Sequence, residues 1–239
     1  MKMEEFKREF EKYLEKMSIL LNKEQYDQFY AYMVLLIEWN EKINLTAITE
    51  PQEIILKHFV DSLTIAKYIE EGKTIIDMGT GAGFPGIPLK IYRNDVKVVL
   101  ADSLNKRIKF LNEVIEKLQL KNIETIHCRA EELGKNKEYR EKFDYATSRA
   151  VANLSTLSEY LLPFVKLNGS CIFMKTMEID EELENAKKAI KILGGRIEKV
   201  NKFEIPESDL GRSIIIVKKE KQTPSKYPRK PGTPAKEPL

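Results

Sequence analysis

The chain has 239 residues, 42% of them apolar, with 40 Lys+Arg against 37 Asp+Glu. Folding at this size buries roughly three quarters of the unfolded surface, which excludes a disordered chain and removes any need for disulfide staples. The only two cysteines, Cys128 and Cys171, each lie beside an apolar strand-like run, so both are read as packing thiols in a reducing compartment. The longest apolar run near the start, residues 30–37, closes at Glu38, far short of the about 20 residues a membrane span requires. The amino terminus places Glu4 and Glu5 where a secretory signal carries basic and then apolar residues. A cytoplasmic monomer without membrane contact is expected.

Residues 1–72 read as a helical extension. Apolar positions recur at three and four spacing through Phe6, Phe10, Tyr13 and Leu14, and again through Phe29, Met33, Leu36 and Ile37. A third helix is predicted from Pro51, suited to a first turn, through Phe59 and Leu63 to a stop near Gly72. From Lys73 the pattern changes to short apolar runs alternating with amphipathic helices: 74–77, 96–100, 123–128, 143–147 and 170–174. Parallel neighbours need crossover connections, so this alternation predicts a doubly wound α/β domain over 73–218. Its end differs: after a helix around 179–193, the runs 196–205 and 212–218 have only a turn between them, which predicts an antiparallel hairpin at one sheet edge.

The remainder, 219–239, is a basic Pro-rich tail. Residues 218–239 carry seven Lys/Arg against Glu220 and Glu237, net +5, leaving −2 for the rest of a chain whose total is +3. Five of the ten prolines also fall there, so the segment is neither helix nor central strand. It is read as a solvated terminus or as an arm that contacts phosphate.

Four of the eleven glycines stand in Asp77-Met78-Gly79-Thr80-Gly81-Ala82-Gly83-Phe84-Pro85-Gly86, after the first strand and before the next helix. Glycine serves where backbone turns sharply or meets a ligand, and open α/β sheets bind ligands at strand carboxyl ends. Gly81, Gly83 and Gly86 also fit G-x-G-x-x-G, so a nicotinamide dinucleotide competes with S-adenosyl-L-methionine. Asp77, Asp102 and Glu131 follow or end strands one, two and three and are expected to rim one crevice. S-adenosylmethionine is a net cation, whereas the dinucleotide brings a pyrophosphate. Carboxylates favour the cation by about 1 kcal/mol for unit charges 4 Å apart in water, and by more in a drier crevice.

The run Asp77 to Leu89, with Asp102-Ser103, Arg129-Ala130-Glu131 and Ser148-Arg149-Ala150, resembles the RsmG (GidB) family of small-subunit ribosomal RNA methyltransferases. Trp39-Asn40, Asn44-Leu45-Thr46, His58 with Asp61-Ser62-Leu63, and the tail motif from Tyr227 to Pro234 extend the resemblance over most of the chain. The resemblance implies a class I, Rossmann-like methyltransferase sheet. It also implies methyl transfer from S-adenosylmethionine to N7 of a guanine in a conserved loop of 16S rRNA, within the small ribosomal subunit. Gly79, Phe84, Ala130, Glu131 and Arg149 match the family's cofactor contacts; Asp77, Gly81, Gly83 and Asp102 complete the expected cofactor set.

Guanine N7 carries an in-plane lone pair and attacks without losing a proton, so no catalytic general base is expected and alignment is the main task. The Asn/Asp-Pro-Pro-aromatic string of exocyclic amine methylation is missing, with Ser148-Arg149-Ala150-Val151 in its place. Neither cysteine follows a proline as a carbon-5 nucleophile would, and no metal-ligand spacing is present. His58 and Asp61 stand i,i+3, close enough for the acid to orient the imidazole. Arg149, Lys175, Arg212, Tyr227, Arg229 and Lys230 are the expected RNA-binding residues, since a basic group beside an aromatic pairs with phosphate while the ring stacks on a base. On that reading, deleting 222–239 weakens subunit binding and leaves cofactor affinity intact. The rival readings are an NAD-dependent oxidoreductase and a non-catalytic RNA-binding module.

Overall fold

A computed structural model describes residues 1–149 and 152–239. Ala150 and Val151 of the Ser148-Arg149-Ala150-Val151 string lie outside the described residues. Five parallel strands form the body of one seven-stranded sheet: β1 (Thr74–Met78), β2 (Lys97–Asp102), β3 (Ile123–His127), β4 (Phe143–Arg149) and β5 (Val165–Thr176). The hairpin of β6 (Gly195–Glu204) and β7 (Gly211–Lys219) completes it in the order β3-β2-β1-β4-β5-β7-β6. β7 lies between β5 and β6, antiparallel to both, and is buried from Ser213 to Val217, while the outer strand β6 shields its open edge with Glu198, Lys199 and Lys202.

Order reverses between β1 and β4, and this switch point sets where a crevice opens. Side chains alternate across each strand, so Ile75 and Asp77 face one layer while Ile76 and Met78 face the other. The first layer contains α1 (Met3–Lys16), α2 (Lys23–Ile43), α5 (Gly86–Tyr92) and α6 (Asn105–Lys117); the second contains α8 (Leu154–Leu161) and α9 (Asp180–Ile192). The helical extension shares the first layer's core. Phe6, Phe10, Phe29, Tyr32 and Phe59 pack ring against ring at centroid distances of 5.0–6.4 Å, and Tyr32 continues this stack to Phe84 and Phe110. Burying each such ring contributes about 1.5–3 kcal/mol, which fixes the helices against the glycine loop.

The third helix departs from the sequence expectation. It breaks into α3 (Pro51–Ile54), a π-helical turn (Ile55–Val60), α4 (Asp61–Leu63) and a 3-10 turn (Ala66–Tyr68). The wide turn presents the Lys57 carbonyl to Arg149 Nη1 at 2.7 Å, and Ser62 Oγ donates to the His58 carbonyl at 2.5 Å. Such turns accompany functional sites often enough to direct attention here. Among the described residues, no helix is long and apolar enough to cross a membrane.

Candidate functional site

Three adjacent strand ends build the first cavity, of about 350 Å³. Gly79 at the end of β1, Asp102 at the end of β2 and Ser148 near the end of β4 line it, joined by Ala130 and Glu131 of α7 (Ala130–Leu133). Gly79 has φ of 70° and donates its N–H to the Ala101 carbonyl at 2.8 Å, turning the chain back over β2. Gly83 has φ of 101°, and a Cβ there would stand 2.6 Å from Ile87 Cδ1 and 2.7 Å from Tyr32 Oη. The loop is thus held by α2 from below, with Tyr32 Oη donating to the Ala82 carbonyl.

Asp102 is almost fully buried and organises the rim. Its Oδ2 accepts from Gly81 N at 2.9 Å and Arg107 Nη1 at 3.2 Å, and its Oδ1 accepts from Leu104 N at 2.9 Å. Glu131 Oε1 accepts from Gly232 N at 2.9 Å, and Gly232 itself lines the cavity.

The expected ring of three carboxylates is not formed. Asp77 projects into the first layer, beneath the loop, where Oδ2 accepts from Thr80 Oγ1 at 2.6 Å and from Gly86 N at 2.9 Å. Strand alternation is the reason: Met78, not Asp77, lines the cavity. Burial raises the Asp77 pKa to about 6, although those two hydrogen bonds and Arg149 act in the opposite direction. Gly81 and Gly83 shape the loop without lining the cavity. Phe84 also turns inward, stacked on His58 at 4.3 Å and facing the Arg149 guanidinium at 4.9 Å.

The same alternation separates Ser148 from Arg149. Arg149 lines a second cavity of about 560 Å³ together with His58, Asp61, Lys175 and Arg212, and with the apolar Ile48 and Met174. Asp61 Oδ2 accepts from Arg149 Nη1 at 3.0 Å and its Oδ1 from Arg212 Nε at 2.8 Å. Asp61 therefore anchors two arginines and does not orient His58. Arg149 Nη2 lies 2.9 Å from His58 Nδ1; a guanidinium only donates, so Nδ1 accepts and Nε2–H donates to Thr46 Oγ1 at 3.0 Å. Burial and the Arg149 charge lower the His58 pKa to about 3, keeping the ring neutral. Lys175 Nζ donates to the Ala152 carbonyl at 2.7 Å and pairs with Glu182 at 2.6 Å.

The tail is not a free arm. Arg140 donates to the carbonyls of Thr223 at 2.7 Å and Tyr227 at 2.8 Å, and Tyr227 is buried. Arg229 pairs with the buried carboxylate of Glu159 through Nη2 at 2.7 Å, and its N–H donates to the same group at 2.7 Å. Tyr227 and Arg229 are thus committed to the protein, which corrects their expected place among RNA contacts; Lys230 is exposed. Buried Glu159 explains the seating, because it would stand unpaired without Arg229. The chain then reaches Gly232 and closes one wall of the first cavity.

Sequence reasoning missed the inward-facing Ser148, Gly232, Leu157, Leu161 and Cys128 as lining residues. Strand parity pointed to Ser148; the others meet the cavity only through tertiary packing. Burial pushes the Cys128 thiol up to about 11, with Glu132 and Asp102 adding to the rise, so it is protonated and unsuited to nucleophilic attack. No group of three or more possible metal-ligating side chains occurs among the described residues.

Residues 25–211 match the family model described as rRNA small subunit methyltransferase G. The curated protein of that name from Acetivibrio thermocellus is 57% identical over 220 residues, covering 92% of this chain and 90% of its own. The Clostridium novyi protein is 53% identical over 227 residues, covering 94% and 93%. Among solved structures, a SAM dependent methyltransferase from Aquifex aeolicus has a TM-score of 0.53 at 20% identity, over 76% of this chain and 97% of that one. M. jannaschii TYW2 in complex with AdoMet has a TM-score of 0.54 at 17% identity, over 72% and 77%. At these identities the structural likeness concerns the fold: a mostly parallel sheet shared with S-adenosylmethionine-dependent methyltransferases.

Proposed function

The chain belongs to the rRNA small subunit methyltransferase G family, and on that premise we propose that it methylates N7 of a guanine in a conserved loop of 16S rRNA, within the small ribosomal subunit, in the cytoplasm. It is an S-adenosylmethionine-dependent rRNA methyltransferase. The observation that carries the reading is the first cavity, where a glycine turn meets Asp102 and Glu131 at three neighbouring strand ends. When bound, S-adenosylmethionine supplies a methyl carbon activated by its sulfonium. Acidic side chains suit this cationic molecule better than a pyrophosphate, and a turn without a side chain at Gly79 admits close backbone approach.

Ala130 and Glu131 hold the adenine end, Asp102 receives the ribose hydroxyls, and Gly79 faces the amino-acid end. Arg107, partly exposed, pairs with Asp102 and would give way to the ribose. Asp77, Gly81, Gly83 and Phe84 act from beneath by shaping the loop. Arg149 stands across β4 from the first cavity and lines the second. There the four cations Lys57, Arg149, Lys175 and Arg212 outnumber Asp61 and Glu182, with which three of them pair, and attract the RNA backbone, while Ile48 and Met174 offer an apolar surface to an unstacked base. With N7 as nucleophile, no side chain has to remove a proton; neutral His58 positions Arg149.

The experiment is incubation with labelled S-adenosylmethionine and small subunits from cells lacking the activity. Label at guanine N7 in 16S rRNA is expected. Unlabelled RNA, or label at a pyrimidine carbon or an exocyclic amine, contradicts the proposal.

A further inference from the structure

Four buried polar atoms among the described residues lack a hydrogen-bond partner of good geometry: Asp77 Oδ1, Arg107 Nε, Ser148 Oγ and Glu182 Oε1, the last held only by its ion pair with Lys175. Three of the four gather around the first cavity. Asp77 lies under its glycine loop, Arg107 pairs with its rim residue Asp102, and Ser148 lines it directly. A buried hydroxyl with no partner costs stability, so its retention calls for a partner that arrives with a ligand.

Ser148 is fully buried, opposite Phe173 in the β4–β5 ladder. Met78, Leu157 and Leu161 share its part of the cavity lining, and all three are apolar. The strand order β3-β2-β1-β4 lays the candidate contacts in a row: Glu131 after β3, Asp102 on β2, Gly79 after β1, Ser148 on β4. A ligand whose adenine lies at Glu131 and whose ribose lies at Asp102 brings its amino-acid end to Gly79 and Ser148.

We propose that the Ser148 hydroxyl is a cofactor-binding group that hydrogen-bonds the charged amino-acid end of S-adenosylmethionine, and so fixes the sulfonium relative to the second cavity. The inference rests on the proposed cofactor reading and deepens it. Among the described residues Ser148 makes no hydrogen bond through Oγ, so Ser148→Ala removes no such contact. This separates binding from folding.

Titration calorimetry of the full chain and the Ser148→Ala variant tests it with three probes: S-adenosylmethionine, S-adenosylhomocysteine and 5′-methylthioadenosine, which lacks the amino-acid group. The variant binds the first two about tenfold more weakly or worse and the third unchanged, while its melting temperature without ligand stays level or rises. Equal affinity for all three probes, equal losses for all three, or a lowered melting temperature without ligand overturns the assignment. If the unaltered chain binds none of them, the cofactor reading itself fails.

Discussion

The Asp77 carboxyl titrates at about 6 in the folded chain against an ordinary 3.8, so folding stability falls as pH rises between those values. Above that window the deficit is about 3 kcal/mol. His58 acts oppositely. Its pKa of about 3 against an ordinary 6.5 makes its contribution fully present above 6.5 and progressively lost as pH falls toward 3. Between about pH 4 and 6 each group changes stability by about 1.4 kcal/mol per pH unit, with opposite signs, so their effects nearly cancel. Asp77→Asn leaves the His58 slope unopposed. Urea denaturation across pH 4–8 should show the variant losing about 1.4 kcal/mol per pH unit from 6 to 4 relative to the parent, starting from an advantage of up to about 3 kcal/mol at pH 8. Parallel curves for parent and variant contradict the assignment.

The tail from Thr223 to the end is a strap, and its consequences are those of a structural element. A chain ending at Gln222 loses the Gly232 wall and leaves Glu159 without Arg229, a loss of about 3–5 kcal/mol for a broken buried pair. Both the melting temperature and S-adenosylmethionine affinity should fall, the latter at least tenfold by calorimetry. Arg229→Gln, which keeps the strap's length, should lower the melting temperature as well. Unchanged cofactor affinity in the shortened chain would restore the arm reading taken from composition. Charge and proline content marked this segment as irregular but not as solvated. Its destination depends on Arg140, Glu141 and Glu159, which are distant in sequence and carry no local signal. The π-helical turn at His58 was equally hidden, since its apolar spacing is that of an ordinary helix, while the contacts that hold it come from Arg149 on β4, which donates to the Lys57 carbonyl and to Asp61.

At the scale of the whole molecule, the alternation of strands and helices and the closing hairpin were legible because period and turn chemistry are local. The crevice was legible in part: Gly79, Asp102, Ala130 and Glu131 meet in one cavity. Asp77 and Arg149 were close in sequence to it but sit on the opposite face, because a strand reverses its side chains at every residue, and Phe84 is turned inward by the loop before α5 to stack on His58. Two cavities flank β4: Asp102 and Glu131 line one, and Arg149, Lys175 and Arg212, paired with Asp61 and Glu182, line the other; the proposed function assigns the cationic donor to the first and the polyanion to the second, and that division is open to test.

Calorimetric titration of the intact chain and of Asp102→Ala with S-adenosylmethionine, and separately with nicotinamide adenine dinucleotide, addresses that division at its source. The parent should bind S-adenosylmethionine at one site and ignore the dinucleotide, and Asp102→Ala should weaken that binding at least tenfold. Uptake of the dinucleotide with no response to S-adenosylmethionine would contradict the account.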